Sequence, residues 1–113
     1  MKTKKLKIEG IEVEFNVIES QDDIWLNSPI ILFGEVVKKV NGSLYIVCRN
    51  LRTNEIDDAF WFAKKYCNQT LEVGDCVDIE VIDCPVDRQH GLPQTIIMEN
   101  FETGDKFRTF INI

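Results

Sequence analysis

The fold is decided by residues 30–51, which read IILFGEVVKKVNGSLYIVCRNL. An apolar, β-branched run ends at Val40, and a second apolar run begins after Asn41-Gly42. Asn-Gly accepts positive φ at both central positions of a two-residue turn, so it joins two antiparallel strands directly. This stretch therefore predicts a tight β-hairpin.

Downstream of the hairpin, the sequence alternates between apolar and polar residues in three further stretches. The clearest is Cys76 to Asp83, which follows the chain-breaking pair Gly74-Asp75. The other two are residues 94–101 and 106–113, with turn residues between them. Alternation with period two indicates strands that have one buried face. Three more strands are therefore predicted.

Upstream of the hairpin, residues 4–19 alternate in the same way, but the apolar positions change from even to odd at Gly10. Such a shift is typical of a bulge or a tight turn. Residues 4–19 therefore predict either one half-buried strand or a short hairpin.

The segment from Asn54 to Asn68 is ambiguous. Asn54 can cap a helix, acidic residues fill the first turn, and Lys64 and Lys65 lie in the last turn. Those charges favour a helix through its dipole. Phe60-Trp61-Phe62, in contrast, is typical of a strand. We predict a helix over most of this segment and keep a strand as the alternative.

Together these elements predict one mainly β domain over residues 1–113. Its core, about residues 30–101, is predicted to be a small OB-like β-barrel with one short helix. An N-terminal hairpin or strand, residues 4–19, and a C-terminal strand, residues 106–113, are predicted outside this core. The alternative is an α+β fold in which the helix packs on an antiparallel sheet.

The chain is expected to be soluble and cytoplasmic. It has no apolar run near the roughly 20 residues of a membrane helix and no apolar signal core after its basic start. The four cysteines are then expected to be reduced. Their spacing contains no C-x-x-C pair and His90 is the only histidine, so no metal site is expected.

Catalysis is not expected either. His90 lies near Asp87 and Arg88, but no serine or cysteine stands in an activated-nucleophile motif and no glycine-rich phosphate loop is present. His90-Gly91 is most simply a turn. No cofactor is predicted.

The net charge of -6 opposes general binding to polyanions, but the charge is unevenly placed. Residues 29–66 hold six basic and four acidic side chains, net +2, whereas residues 67–113 hold three basic and nine acidic, net -6. An outward Tyr45 beside Arg49 offers stacking and charge, which single-strand binders combine. The predicted nucleic-acid site comprises Tyr45, Arg49, Lys38, Lys39, Trp61 and Lys65. Alternatively, Tyr45 packs on its cross-strand neighbour and the lysines only solubilise the surface.

Three motifs add a family resemblance: Gly34-Glu35-Val36, Gly74-Asp75-Cys76-Val77, and Gly91 before Thr95-Ile96-Ile97. Over residues 30–98 their order resembles the OB-fold of the RNA-binding repeat in the largest small-subunit ribosomal protein, and bacterial translation initiation factor one. The resemblance implies that single-stranded nucleic acid, usually RNA, is bound across the second and third strands. Tyr45 would then lie near the family's stacking aromatic.

A second function is also open. The acidic C-terminal half, with Asp78, Glu80, Asp83 and Asp87, is suited to a basic protein surface. The chain would then be a small acidic interaction subunit or an inhibitor, of phage-encoded or immunity type. This hypothesis predicts a protein complex and no oligonucleotide binding.

Overall fold

The computed structural model describes residues 2–20, 23, 31–82 and 94–111. These residues confirm the mainly β prediction, since they form one eight-stranded sheet and almost no helix. The strands are Thr3–Ile8 (β1), Ile11–Ile18 (β2), Ile31–Val40 (β3), Ser43–Arg49 (β4), Ile56–Phe62 (β5), Cys76–Ile82 (β6), Gln94–Asn100 (β7) and Lys106–Ile111 (β8).

The strand order in the sheet is β1-β2-β5-β4-β3-β6-β7-β8. Neighbouring strands are antiparallel except β2 and β5, which run parallel. β3 is central because it pairs with β4 on one side and with β6 on the other. Among the described residues the sheet is not closed into a barrel, and β1 and β8 are its two end strands.

Two tight turns set the registers of the hairpins. Asn41 and Gly42 have φ of 51° and 86°, and they join β3 to β4 with Val40 opposite Ser43. This confirms the predicted two-residue turn. Glu9 and Gly10, with φ of 54° and 79°, join β1 to β2 in the same way, so residues 4–19 belong to a hairpin.

The helix predicted for residues 54–68 is wrong over Ile56–Phe62, which form β5. The strand pairs with β4 on one side and β2 on the other, so its backbone is hydrogen-bonded along both edges. It also buries Phe60 and Phe62 in the core, which outweighs the modest gain from a helix cap and dipole. Helical structure within this segment is limited to a 3-10 turn at Lys64–Tyr66.

The sheet curls so that its inner face surrounds one main core. Side chains from β2 to β7 contribute to it, and Phe107 of β8 packs against it. The fully buried members include Ile18, Val36, Leu44, Ile46, Phe60, Leu71, Val77, Ile79, Ile96 and Met98.

Asn68 ties the segment after the 3-10 turn to the far end of the sheet. Its side chain is buried, and its Nδ2 donates to the carbonyl oxygens of Asp105, at 3.1 Å, and Met98, at 3.5 Å. Its Oδ1 accepts from the backbone N and the Oγ1 of Thr70, at 2.9 and 2.7 Å. The Asn68 side chain therefore links this segment to β7 and to the turn between β7 and β8, and this link stabilises the curled sheet.

A second, smaller core lies on the outer face of the sheet, where the β1–β2 hairpin packs against β4 and β5. Phe15, Val47 and Ala59 are buried there. Partly buried neighbours from the hairpin and the sheet complete this outer cluster: Leu6, Ile8, Val13, Val37, Tyr45, Ile56 and Trp61. The central strands β4 and β5 are consequently covered on both faces.

Gly34 is required by the close approach of β3 and β4. A Cβ at this position would overlap with Cγ2 of the buried Ile46 and lie 3.0 Å from the carbonyl oxygen of Val47. We expect Gly34→Ala to lower the free energy of unfolding by about 1–3 kcal/mol, as overpacking does in tight cores. Urea denaturation measures this cost. The cost should shrink in an Ile46→Ala background, which removes the overlapping methyl; an equal cost in both backgrounds would contradict the steric explanation.

Candidate functional site

The structure places three of the six residues predicted to bind nucleic acid in one row across β3, β4 and β5, since Tyr45 is the register partner of both Lys38 and Trp61. Tyr45 and Trp61 face each other across β4 and β5, with ring centroids 6.4 Å apart. Tyr45 also packs edge-on against Phe15 of the hairpin at 4.9 Å. Both rings belong to the outer cluster and are partly buried. Tyr45 therefore packs on its cross-strand neighbour, as the alternative interpretation of this residue predicts.

Arg49 and Lys39 form hydrogen bonds with other residues of the protein. Arg49 donates from Nη2 to the Glu9 carboxylate at 2.9 Å and from Nη1 to the Asn54 carbonyl at 3.1 Å. Lys39 Nζ donates to the carbonyls of Gln69 and Leu71, both at 2.9 Å. Their side chains are only 20% and 21% exposed. Both cations are therefore occupied within the protein.

Trp61 already has a cationic neighbour, and Lys65 lies apart from the row of Lys38, Tyr45 and Trp61. Lys4 Nζ, from β1, lies over the indole of Trp61 at 3.6 Å from the ring centroid. Because β5 ends at Phe62, Lys65 does not extend the strand face of Trp61, and its Nζ lies 5.0 Å from the Tyr66 ring. Lys38 is exposed and lies directly opposite Tyr45 on the neighbouring strand.

A different surface, on the outer face of β3, β6 and β7, stays open to solvent among the described residues. Phe33 and Phe101 stack there with ring centroids 6.0 Å apart and an interplanar angle of 9°. They are 60% and 53% exposed, which is unusual for two large aromatic side chains in contact. Ile31 and Leu51 are exposed nearby and help to line a groove of about 720 Å³ that also contacts Cys48, Asp58 and Cys76.

Acidic side chains flank this aromatic pair. Phe33 is the register partner of Asp78, which is in turn the partner of Glu99. Ile31 is the partner of Glu80 in the next row. We call Phe33, Phe101, Asp78, Glu80 and Glu99 the open face. It combines an apolar centre with three carboxyl groups.

Asp78 is the carboxyl group of the open face that is least well accommodated. Its Oδ1 is buried and accepts no hydrogen bond from the described residues. Burial, and then repulsion from Glu99 and Glu80, raises the pKa of this carboxyl. Its ionised form would therefore gain from a cationic neighbour.

The sequence alone did not reveal Phe33 and Phe101 as functional candidates. One signal was available for Phe33, because it has the opposite parity to the core residues Leu32 and Val36 on the same strand. The sequence does predict Asp78 and Glu80 as acidic contact residues, and both lie on β6 with their side chains on the open face. Asp83, Cys84, Asp87, His90 and Gly91 lie outside the described residues.

Two of the three described thiols, those of Cys48 and Cys67, are not activated nucleophiles. Burial raises the pKa of Cys48 to about 11 and that of Cys67 to about 12, so both are protonated near neutral pH. A second cavity of about 510 Å³ between the hairpin and β5 is lined by acidic residues. Nevertheless, no group of three or more histidine, cysteine or carboxylate side chains among the described residues is arranged to hold a metal ion.

Comparison with known proteins gives no relative for this chain: no protein-family model, no curated protein and no solved structure matches it. Within the described part of the chain, no helix has the length and apolar character needed to cross a bilayer. The geometry of the open face and of the outer cluster is therefore the basis for inferring a function.

Proposed function

We propose that this protein is a non-catalytic binding module whose open face docks a basic protein partner. The observation that carries this proposal is the stacked pair Phe33 and Phe101, which is more than half exposed and lies beside Asp78 and Glu99. Aromatic side chains surrounded by charge are typical anchors of protein interfaces.

The two parts of the open face have different roles in this proposal. Burying an exposed aromatic side chain contributes about 1.5–3 kcal/mol, so Phe33 and Phe101 would supply most of the affinity. The carboxyl groups of Asp78, Glu80 and Glu99 would attract and orient a basic partner before contact. The overall net charge of -6 acts in the same direction.

Binding of single-stranded nucleic acid at Tyr45, Trp61 and the neighbouring cations is the competing proposal. This competing proposal assumes that β3–β7 form an OB-like core. The pairing of β3 with both β4 and β6 supports that assumption. The geometry favours the competing proposal less, because the hairpin packs over Tyr45 and because Arg49 is already paired with Glu9.

The proposed docking can be tested by selecting a phage-displayed library of random peptides on the immobilised protein, then measuring Kd for the enriched peptides. We expect these peptides to carry net positive charge. Their affinity should fall at least about tenfold in the double variant Phe33→Ser, Phe101→Ser, because two anchors are lost. Ile11→Ser is the matched control, since Ile11 is 65% exposed but lies on the β1–β2 hairpin.

Enriched peptides without basic character, or equal affinity for the wild type and the double variant, would refute the docking proposal. The competing proposal is tested in parallel by fluorescence anisotropy of single-stranded RNA and DNA at about 50 and 200 mM salt. Affinity that depends on phosphate contacts falls strongly between these two concentrations. Salt-sensitive binding that Lys38→Ala and Tyr45→Ala both weaken would favour nucleic acid as the ligand.

A further inference from the structure

The open face places an apolar groove and an acidic group side by side. Phe33 on β3 and Asp78 on β6 are direct register partners, so their side chains leave the sheet in the same direction. Directly opposite residues of an antiparallel pair have Cβ atoms about 4.5–5.5 Å apart. A ligand that covers Phe33 therefore also reaches the carboxyl group of Asp78.

We propose that the partner is bound through an extended segment carrying an apolar side chain and, two residues away, an arginine or lysine. The apolar side chain lies in the groove between Phe33, Phe101 and Leu51, and the cation pairs with Asp78. This inference rests on the docking function proposed above and specifies the chemistry that the open face recognises.

The spacing of the segment follows from strand geometry. Side chains at positions i and i+2 of an extended peptide point the same way and are about 6.6 Å apart, since each residue advances the chain by about 3.3 Å. Adjacent side chains point to opposite sides. The i and i+2 pair of an extended segment can therefore fill the groove and reach Asp78 together, whereas an adjacent pair cannot.

The cation is required by the groups that surround Asp78. Glu80 lies two residues along β6 and Glu99 is its partner on β7, so two further carboxyl groups share its face. On its β3 side the neighbour is the apolar Phe33. Lys106 is the nearest basic residue in this row, but it is the partner of Glu99 rather than of Asp78. The buried Oδ1 of Asp78 has no donor among the described residues.

The same charges argue against other occupants of the groove. A second copy of this chain in a symmetric dimer would bring the carboxyl groups of Asp78, Glu80 and Glu99 close to their own duplicates. A nucleic acid would bring phosphates to them. Like charges brought together across an interface are strongly unfavourable, whereas a basic segment is complementary.

Three acetylated and amidated pentapeptides test this inference: Gly-Phe-Gly-Arg-Gly, Gly-Phe-Gly-Gln-Gly and Gly-Ala-Gly-Arg-Gly. Each is titrated to millimolar concentration into isotope-labelled protein, and amide chemical shifts are followed by NMR. We expect the first peptide to shift amides in residues 31–35, 76–80 and 99–101. It should bind about twofold to fivefold more tightly than the glutamine peptide, as a solvent-accessible ion pair gives. The alanine peptide should bind at least about tenfold more weakly, because its apolar anchor is missing.

Asp78→Asn should make the arginine and glutamine peptides bind equally, while Ile11→Ser should leave their difference unchanged. The amide spectrum of each variant reports whether the fold is intact. Equal binding of the two peptides by the wild-type protein would overturn the pairing with Asp78, but docking at Phe33 and Phe101 would stand. Shifts confined to β4 and β5, no shifts at all, or stronger shifts of the same amides with a single-stranded oligonucleotide would overturn the inference.

Discussion

Phe15→Ala is expected to lower the free energy of unfolding by about 3–5 kcal/mol, the usual cost of deleting a buried phenylalanine. Phe15 is 0% exposed and is, with Val47 and Ala59 of the sheet, one of the three buried members of the outer cluster. Its ring also contacts Tyr45 edge-on. The substitution leaves a cavity at the point where the β1–β2 hairpin packs against β4 and β5.

Urea denaturation followed by tryptophan fluorescence measures this cost, because Trp61 belongs to the same cluster. Ile11→Ala on the same strand is the matched control. Ile11 is 65% exposed, so its replacement should change stability by no more than about 0.5 kcal/mol. If the two substitutions had equal costs, the hairpin could not be packed on the sheet as described.

Asn68→Asp is expected to destabilise the protein by about 3–5 kcal/mol at pH 7, as an unpaired buried charge does. The change preserves shape but replaces the Nδ2 donor with an oxygen. That oxygen would face the carbonyl oxygens of Met98 and Asp105, to which Nδ2 now donates. The contact that holds the curled sheet would become repulsive.

The pH dependence of this variant has a definite sign. Burial and the facing carbonyl oxygens of Met98 and Asp105 raise the pKa of the new carboxyl in the folded state above its unfolded value near 3.9, and the two donors of Thr70 at the other oxygen offset this only in part. The folded state then holds the proton more tightly, so the penalty for ionisation grows as pH rises above about 4 and disappears below it. Thermal unfolding at pH 7 and pH 4 measures the difference. Leu51→Asp adds the same negative charge at a fully exposed turn residue and should cost less than about 1 kcal/mol; equal effects would refute the role of Asn68.

The local chemistry of the chain was readable from the sequence. Asn41-Gly42 takes positive φ at both residues, as its composition predicts. The alternating run after Gly74-Asp75 forms β6 from Cys76 to Ile82. In both places, the decisive interactions lie within a few residues of each other. Short-range patterns were sufficient there.

The candidate site was less predictable because its partners are distant in the chain. Arg49 is paired with Glu9, 40 residues away, and Lys39 with Gln69, 30 residues away. The helix prediction failed for the same reason, since β5 is stabilised by pairing with β2. Phe101 follows β7, and only the sheet order brings it to Phe33 on β3. No short-range sequence pattern encodes these contacts.

The end strands β1 and β8 affect the tendency to aggregate, because within the described residues each pairs with another strand on one side only. These two end strands are basic in a protein of net charge -6: β1 carries Lys4, Lys5 and Lys7, and β8 carries Lys106 and Arg108. End strands with free backbone groups are templates for fibre growth, and lysines on them are a known protection. Two such edges repel each other when molecules approach side by side. The basic side chains of these end strands are therefore expected to disfavour the joining of two sheets end strand to end strand.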